Sequence, residues 1–433
     1  MTYKQSWGRN FNYSHNTLTP LWTGDDVVFS SDTHCLPYGL GRSYGDSCLN
    51  ENGILISSEQ LNHFISFDDV NGILRCEAGV SFEDILGIVV PGKWFLPVTP
   101  GTKFVTIAGA IANDIHGKNH THAGTIGCYV TQFELLRSDG SRRICSPKNN
   151  KELFSATIGG LGLTGFITWV ELKLIPINNA FIQEESIQCE NLDEMITLFK
   201  ESDQNYQYTV SWIDCLAKGK QLGRGIFTRG NHCTDHGLPA EHIPRVKKNV
   251  PFVFPPNCLN PLTVAAFNQL YYRKLFGKRQ QSRTDYDPFF YPLDAIHHWN
   301  RLYGPRGFIQ YQCVLVEDEV NAMKELLAII ARSGQPSPLN VLKEFGSVQS
   351  PGMLSFPRKG LTLALDFPNR GEKTLELCRA LDLVVKQSKG ALYPAKDSRM
   401  PQELFELSFP KLNEFKKYRD PQFSSSFWRR VQS

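Results

Sequence analysis

Apolar and polar positions change rhythm once along this chain. Over residues 1–176 they alternate in short, β-branched runs broken by glycine-rich turns, the pattern of half-buried strands. Strands are predicted over 54–57, 73–78, 131–137 and 166–175. Ser138-Asp139-Gly140-Ser141 supplies a hairpin turn after the third of these. One short helix is predicted to begin at Ser81, with Asp84 placed to complete a capping box.

Past Pro176, apolar residues recur at helical spacing over 192–200, 320–332 and 373–386, and Gly334 and Gly390 are the expected stops of the last two. Strands are predicted over 208–213, 308–315, 341–345 and 361–366. Strand–helix–strand order with an antiparallel remainder predicts an α+β unit around one sheet. Residues 230–262, dense in Pro, Asn, His and Lys and without periodicity, are expected to form a long mobile loop over that unit.

A length of 433 residues suits two domains rather than one core. The net charge of +3 lacks the excess of a general nucleic-acid binder. No run approaches the roughly 20 apolar residues of a membrane helix, and the first fifteen residues lack the apolar stretch of a signal peptide. A cytoplasmic location is therefore expected. The 11 cysteines are scattered with no C-x-x-C, which argues against a disulfide framework and a zinc site.

The candidate chemistry lies in three glycine-rich stretches. The first is Gly39-Leu40-Gly41-Arg42-Ser43-Tyr44-Gly45-Asp46-Ser47, where glycines allow close backbone approach to a pyrophosphate and successive N–H groups form an anion nest. The second runs from Thr99, Gly101 and Thr102 into Thr106-Ile107-Ala108-Gly109, then Asn113-Asp114-Ile115-His116; its small residues leave room for a ligand. The third spans 159–165 and ends in a predicted strand carrying Ile167. Gly160-x-Gly162-x-x-Gly165 matches a dinucleotide fingerprint, yet a strand follows where that fingerprint must open a helix, so a Rossmann reading is rejected. His116, His120 and His122 have a metal-like spacing, but Gly117 and Asn119 disfavour a helix and no carboxylate or thiol completes the set; no metal is expected.

Together and in this order, the stretches resemble the PCMH-type FAD-binding domain of the vanillyl-alcohol oxidase superfamily. The resemblance implies a two-lobed FAD-binding domain over 1–176, an inserted α+β substrate cap over 177–390, and a segment over 391–433 returning to the first domain. It implies that 39–47 carries the pyrophosphate, that Gly101, Thr106, Ile107, Ala108, Gly109, Asn113, Asp114, Ile115 and Tyr393 line the flavin, and that Ile167 closes the adenine side. Some members tether FAD through a histidine in the first turn; Gly41-Arg42-Ser43-Tyr44 has neither His nor Cys, which implies noncovalent FAD.

Further stretches, Tyr303-Gly304-Pro305, Gln310-Tyr311-Gln312 and Ala395-Lys396-Asp397-Ser398-Arg399, resemble the superfamily's polyprenyl-phosphoryl ribose 2′-oxidases. This closer resemblance implies oxidation of a sugar C2′ hydroxyl, with hydride passing to the flavin, and an NAD(P)H-dependent short-chain reductase as partner for the second step of an epimerisation. It implies Lys396 and His116 as catalytic residues, and Lys118, Gln310, Gln312, Lys343, Thr362 and Ala364 as substrate positions, Lys343 being a candidate phosphate partner. Ala364 stands where the family pattern has cysteine, and Thr362 replaces an amide. The alternative substrate class is the soluble sugars and polyols taken by alditol and aldonolactone oxidases. Lys247-Lys248, followed by Val250-Pro251-Phe252-Val253-Phe254, places charge beside apolar bulk and is a candidate peripheral contact with the inner membrane.

Overall fold

The computed structural model describes residues 4–25, 27, 29, 33–242 and 248–432. Among the described residues the first part carries two main sheets and a two-stranded pair, Trp94–Phe95 with Ile175–Pro176. Asn16–Leu18, Ile54–Ser57 and Cys35–Tyr38 form a parallel sheet with Ile54–Ser57 in the centre. Phe64–Asp68, Ile73–Glu77, Phe166–Lys173, Val130–Leu136 and Arg142–Cys145 form, in that order, an antiparallel sheet of five strands. The strand Phe166–Lys173 directly follows Gly165, which is why the glycine cluster there opens no helix. The turn after Val130–Leu136 closes as read: Gly140 takes φ +79°, and Arg137 N–H donates to the Ser141 carbonyl at 2.9 Å.

Ser81 caps the helix Phe82–Val89 as its sequence requires. Its hydroxyl accepts from the Asp84 N–H, and the Asp84 carboxylate accepts from the Ser81 N–H at 3.1 Å.

The second part is one antiparallel sheet of eight strands, ordered Arg279–Asp285, Phe181–Cys189, Gly225–His232, Tyr208–Ile213, Asn340–Phe345, Gly360–Pro368, Phe308–Leu315 and Ala391–Leu392. Helices Glu319–Ser333 and Glu372–Gln387 cover one face. Met323, Leu326, Leu327 and Ile330 from the first and Leu377, Leu381 and Val385 from the second bury against Tyr311, Cys313, Leu363 and Leu365 of the strands. Each such buried aliphatic side chain contributes on the order of 1.5–3 kcal/mol. The fold class is α+β, as the apolar rhythm indicates.

Two sequence expectations change. Residues 230–262 are not one loop: Gly225–His232 is a strand to its last residue, Lys248–Asn249 pairs in parallel with Ile296–His297, and the helix Pro261–Tyr272 begins within the stretch. Lys247 lies outside the described residues. Gly334 ends its helix in the left-handed conformation at φ +64°, but at the end of Glu372–Gln387 it is Lys389 that takes φ +51°. Gly390 is small for another reason: a Cβ there would stand 2.1 Å from the Val314 carbonyl oxygen.

The segment after Leu392 packs on the first part. Cys35 N–H donates to the Gln422 carbonyl at 2.9 Å, Ser138 donates to Asp420, and Arg430 reaches both Asp46 and Asp397.

Candidate active site

Strand periodicity builds the reacting end of the site. Side chains alternate across a strand, so residues facing away from the helices share the opposite face of the eight-stranded sheet. Gln310 and Gln312, Val341 and Lys343, and Ala364 and Asp366 emerge there, while Tyr311, Cys313, Leu342, Leu363 and Leu365 point into the helix-covered core. Register sets Gln310 opposite Asp366 and Gln312 opposite Ala364. These side chains line a cavity of about 680 Å³ whose far wall is the first part of the chain.

That wall is the glycine-rich framework. Leu40, Arg42, Ser43, Tyr44 and Ser47 line it from the first turn, with Gly39 and Gly41 between. Glycine is required at both: a Cβ on Gly39 would stand 2.4 Å from Thr106 Oγ1, and one on Gly41, at φ +62°, 2.2 Å from the Tyr38 hydroxyl. Thr106 caps the short helix Ile107–Ala112, its hydroxyl accepting from Gly109 N–H. Gly101, Ala108, Gly109, Asn113 and Ile115 line the next stretch and Ile167 the last. Nothing lies within 4 Å of a Cβ built on Gly101. Ser47 Oγ and His116 Nδ1 are buried on this lining without a partner among the described residues. A long cleft with small walls and waiting polar atoms fits an extended dinucleotide such as FAD.

Lys396 enters from the C-terminal segment. Its Nζ sits 3.7 Å from the centre of the Tyr44 ring, and Tyr44 N–H donates to the Ala395 carbonyl at 2.8 Å. Enclosure by protein pushes the Lys396 pKa well down; the nearby Asp366 carboxylate pulls it back up, and the Lys343 charge pushes it further down. Burial likewise raises the Asp366 carboxyl, whose oxygen accepts a hydrogen bond from the Gln310 amide. Lys343 is lowered to about 7, first by burial and then by Lys118. Lys118 is lowered to about 8 by burial, with Glu184 acting in the opposite sense; it donates to the Phe289 carbonyl and stands 4.3 Å over the Phe289 ring. Lys118, Lys343 and Lys396 therefore line one cavity, with the exposed Lys274 as a fourth lysine on its lining.

The protonation of His116 follows from its neighbours. Thr362 Oγ1 donates to the Cys313 carbonyl at 2.8 Å, so it accepts from the Gln312 amide nitrogen at 3.4 Å. The same nitrogen donates to His116 Nε2 at 2.9 Å. Nε2 is thus the acceptor, and the ring proton sits on Nδ1. Burial, then Lys343, His120 and Lys396, hold His116 well below its ordinary pKa, so the ring is neutral. Phe345 and Tyr393 fix it edge-on and tilted, with centroids at 4.9 and 5.2 Å. Tyr393 in turn donates to the Asn113 carbonyl at 2.8 Å.

Five expected site residues do not line the cavity. Asp114, at φ +43°, turns inward: its carboxylate accepts from Ser350, Ser355 and Gly127 N–H and fastens the 350–355 segment. Asp46 is buried and pairs with Arg430 at 2.7 Å. Ile107 is fully buried core. Gly45 provides clearance, since a Cβ there would lie 1.6 Å from the Asp397 carbonyl oxygen. Thr362 sits behind Gln312 and acts on the cavity only through it.

Other lining residues carry no local signal in the sequence. Trp7 stacks under Arg42 at 4.5 Å and meets Trp299 edge-on at 5.6 Å, joining segments nearly 300 residues apart. Asp294 accepts from Lys103 N–H at 2.8 Å, and its carboxyl is pushed up to about 6 by burial. His120 lies just outside the lining, tilted against Phe345 with ring centroids 4.4 Å apart, and burial and Lys343 lower it to about 4. Among the described residues, no group of three His, Cys, Asp or Glu side chains is placed to hold a metal ion.

Comparison with known proteins agrees with this architecture. Residues 29–146 match the FAD binding domain family. The chain is 37% identical over 410 residues to the decaprenylphosphoryl-β-D-ribose oxidase of Mycolicibacterium smegmatis, covering 91% of this chain and 88% of that one. It is 30% identical over 371 residues to an uncharacterized protein of Streptomyces coelicolor, covering 81% of this chain and all of the other. A putative D-arabinono-1,4-lactone oxidase of Neurospora crassa is 29% identical over 138 residues, only 32% of this chain and 24% of that one. Likeness across nearly the whole length, on top of an FAD-binding framework, shows that the chain belongs to the decaprenylphosphoryl-β-D-ribose oxidase family of FAD-dependent oxidoreductases.

Proposed function

We propose that this chain holds FAD without a covalent link and oxidises the C2′ hydroxyl of a polyprenyl-phosphoryl pentose to the ketone. In this reading it is the flavin half of an epimerisation that a nicotinamide-dependent short-chain reductase completes. Residues 177–390 act as the substrate cap, and 391–433 bring Lys396 back to the FAD-binding half.

The observation that carries the reading is the meeting of Lys396, His116–Gln312 and Gln310–Asp366 on one cavity with the glycine turn. Bound FAD supplies the acceptor for the hydride that leaves the carbinol carbon. The remaining work belongs to the protein. Lys396, held toward its uncharged form, takes the hydroxyl proton as the C–H bond breaks. His116 presents an Nδ1 proton to the oxygen as charge builds there. Gln310 and Gln312 fix the sugar hydroxyls, because an amide both donates and accepts. Lys118 and Lys343, enclosed and without a carboxylate bonded to either Nζ among the described residues, meet the phosphate, whose charge returns both to the protonated state.

The test is anaerobic mixing of the FAD-loaded protein with a short-chain polyprenyl-phosphoryl ribose. Rapid loss of the oxidised-flavin absorbance is expected. Bleaching by free alditols or aldonolactones instead would transfer the chain to soluble-substrate oxidation. A protein that takes up no FAD would end the reading altogether.

A further inference from the structure

The helix Pro261–Tyr272 is unlike the others. Its twelve residues contain no charge, yet only Val264 and Asn268 are buried. Leu262, Ala266 and Leu270, spaced four apart, form one stripe on the side away from those two residues. Leu262 is 83% and Leu270 75% exposed, and Phe276, four residues past the helix, is 93% exposed. An exposed apolar stripe of this kind on an uncharged helix needs an occupant.

The sequence that follows says which. Arg273-Lys274-Leu275-Phe276-Gly277-Lys278-Arg279 sets four cations around that exposed phenylalanine with no acid among them. Lys278 is engaged by Glu194 at 2.8 Å and Glu190 at 3.7 Å, and Lys274 rests 4.0 Å over the Tyr271 ring. Arg273 and Arg279 are exposed, three residues before and three after Phe276. Apolar residues projecting beyond a cationic rim match an anionic lipid surface, which receives the first in its acyl region and the second at its headgroups.

The surface is continuous with the active cavity. Phe267, Tyr271 and Lys274 of this region line it, and Phe267 is itself exposed, so the cavity reaches solvent beside the helix. We infer that the 261–279 segment seats the protein on an anionic membrane leaflet and so turns the cavity rim toward the bilayer, where a polyprenyl tail resides. The seating stands on the surface alone; its link to the substrate tail rests on the proposed function.

The experiment is co-sedimentation of the FAD-loaded full chain with vesicles of phosphatidylcholine, with and without phosphatidylglycerol. Binding to the anionic vesicles only, or far more strongly to them, is expected. Leu262→Ser/Leu270→Ser/Phe276→Ser should weaken it about a hundredfold and Arg273→Gln/Arg279→Gln about tenfold. None of these five residues lines the cavity, so turnover of a water-soluble short-chain substrate should be unchanged, while turnover of a long-chain substrate in vesicles falls. Wild-type protein that ignores the vesicles, or variants that bind them as well as wild type, would overturn the inference. So would self-association of the wild type that the serine variant abolishes without any vesicle binding, which would assign the stripe to a second copy of the chain. Absence of short-chain turnover in the wild type would count against the proposed substrate and leave the vesicle result standing.

Discussion

Lys396 Nζ stands 3.7 Å from the centre of the Tyr44 ring, so an amine of the C-terminal segment that reaches the cavity is laid directly on the first glycine turn. A cation–π contact favours the charged amine, whereas enclosure and Lys343 disfavour it. The residue is balanced between two protonation states, which is the condition a proton acceptor near neutral pH requires.

Lys396→Ala is therefore expected to retain FAD and lose its substrate-driven reduction by at least about a hundredfold. Stopped-flow absorbance under anaerobic conditions measures both. Reduction at a near-normal rate would remove Lys396 from the chemistry.

The pH profile gives a test of sign. A base whose pKa is lowered is competent above that pKa, so kcat/KM should fall on the acid side as Lys396 takes up a proton. Asp366 holds the Lys396 pKa up and Lys343 holds it down. Asp366→Asn should move the acid limb to lower pH, and Lys343→Met should move it to higher pH. Shifts in the same direction, or none, would show that another group controls the limb.

Two glycine substitutions separate structural need from mere composition. Gly45→Ala drives a methyl group to 1.6 Å from the Asp397 carbonyl oxygen and should cost about 3 kcal/mol or more, along with FAD uptake. Gly101→Ala meets nothing within 4 Å and should leave thermal stability within about 0.5 kcal/mol of wild type. Thermal melts of the two variants, with flavin content measured alongside, decide the matter.

The flavin should leave the protein on acid precipitation and colour the supernatant, since the first turn offers neither His nor Cys for a covalent link. Yellow colour held in the pellet would contradict this.

Ala364 faces the cavity between Gln312 and Val341 in register. Thiol-directed reagents should therefore form no adduct at position 364 of the wild-type protein, whereas Ala364→Cys should acquire one there, mapped by peptide mass spectrometry against Cys48 on the cavity wall and the exposed Cys128 and Cys258.

Local signals in the sequence were reliable where local physics decides the outcome. The Ser81–Asp84 box, the turn at Gly140 and the alternation that puts Gln310 and Gln312 on one face all depend on residues a few positions apart. The glycine turns were legible as a place but not residue by residue. Asp46 and Asp114 sit inside binding stretches, yet their carboxylates serve Arg430 and the Ser350–Ser355 pair, partners hundreds of positions away. The same limit hid Trp7 and Trp299, which meet only once the chain has closed on itself. The helix Pro261–Tyr272 escaped because Leu262 and Leu270 face outward, and amphipathic spacing reports burial only when there is a core to bury against.

Arg430 bridges Asp46, in the first glycine turn, and Asp397, next to Lys396. Its reach has an evolutionary meaning. A flavin module complete within residues 1–176 would be free to recombine as a cassette with any new cap. Here the turn is clasped by a residue nearly 400 positions further along the chain, so a trade of the first half alone would leave Asp46 without its partner. Editing the strands between them changes the cavity wall while leaving that clasp matched.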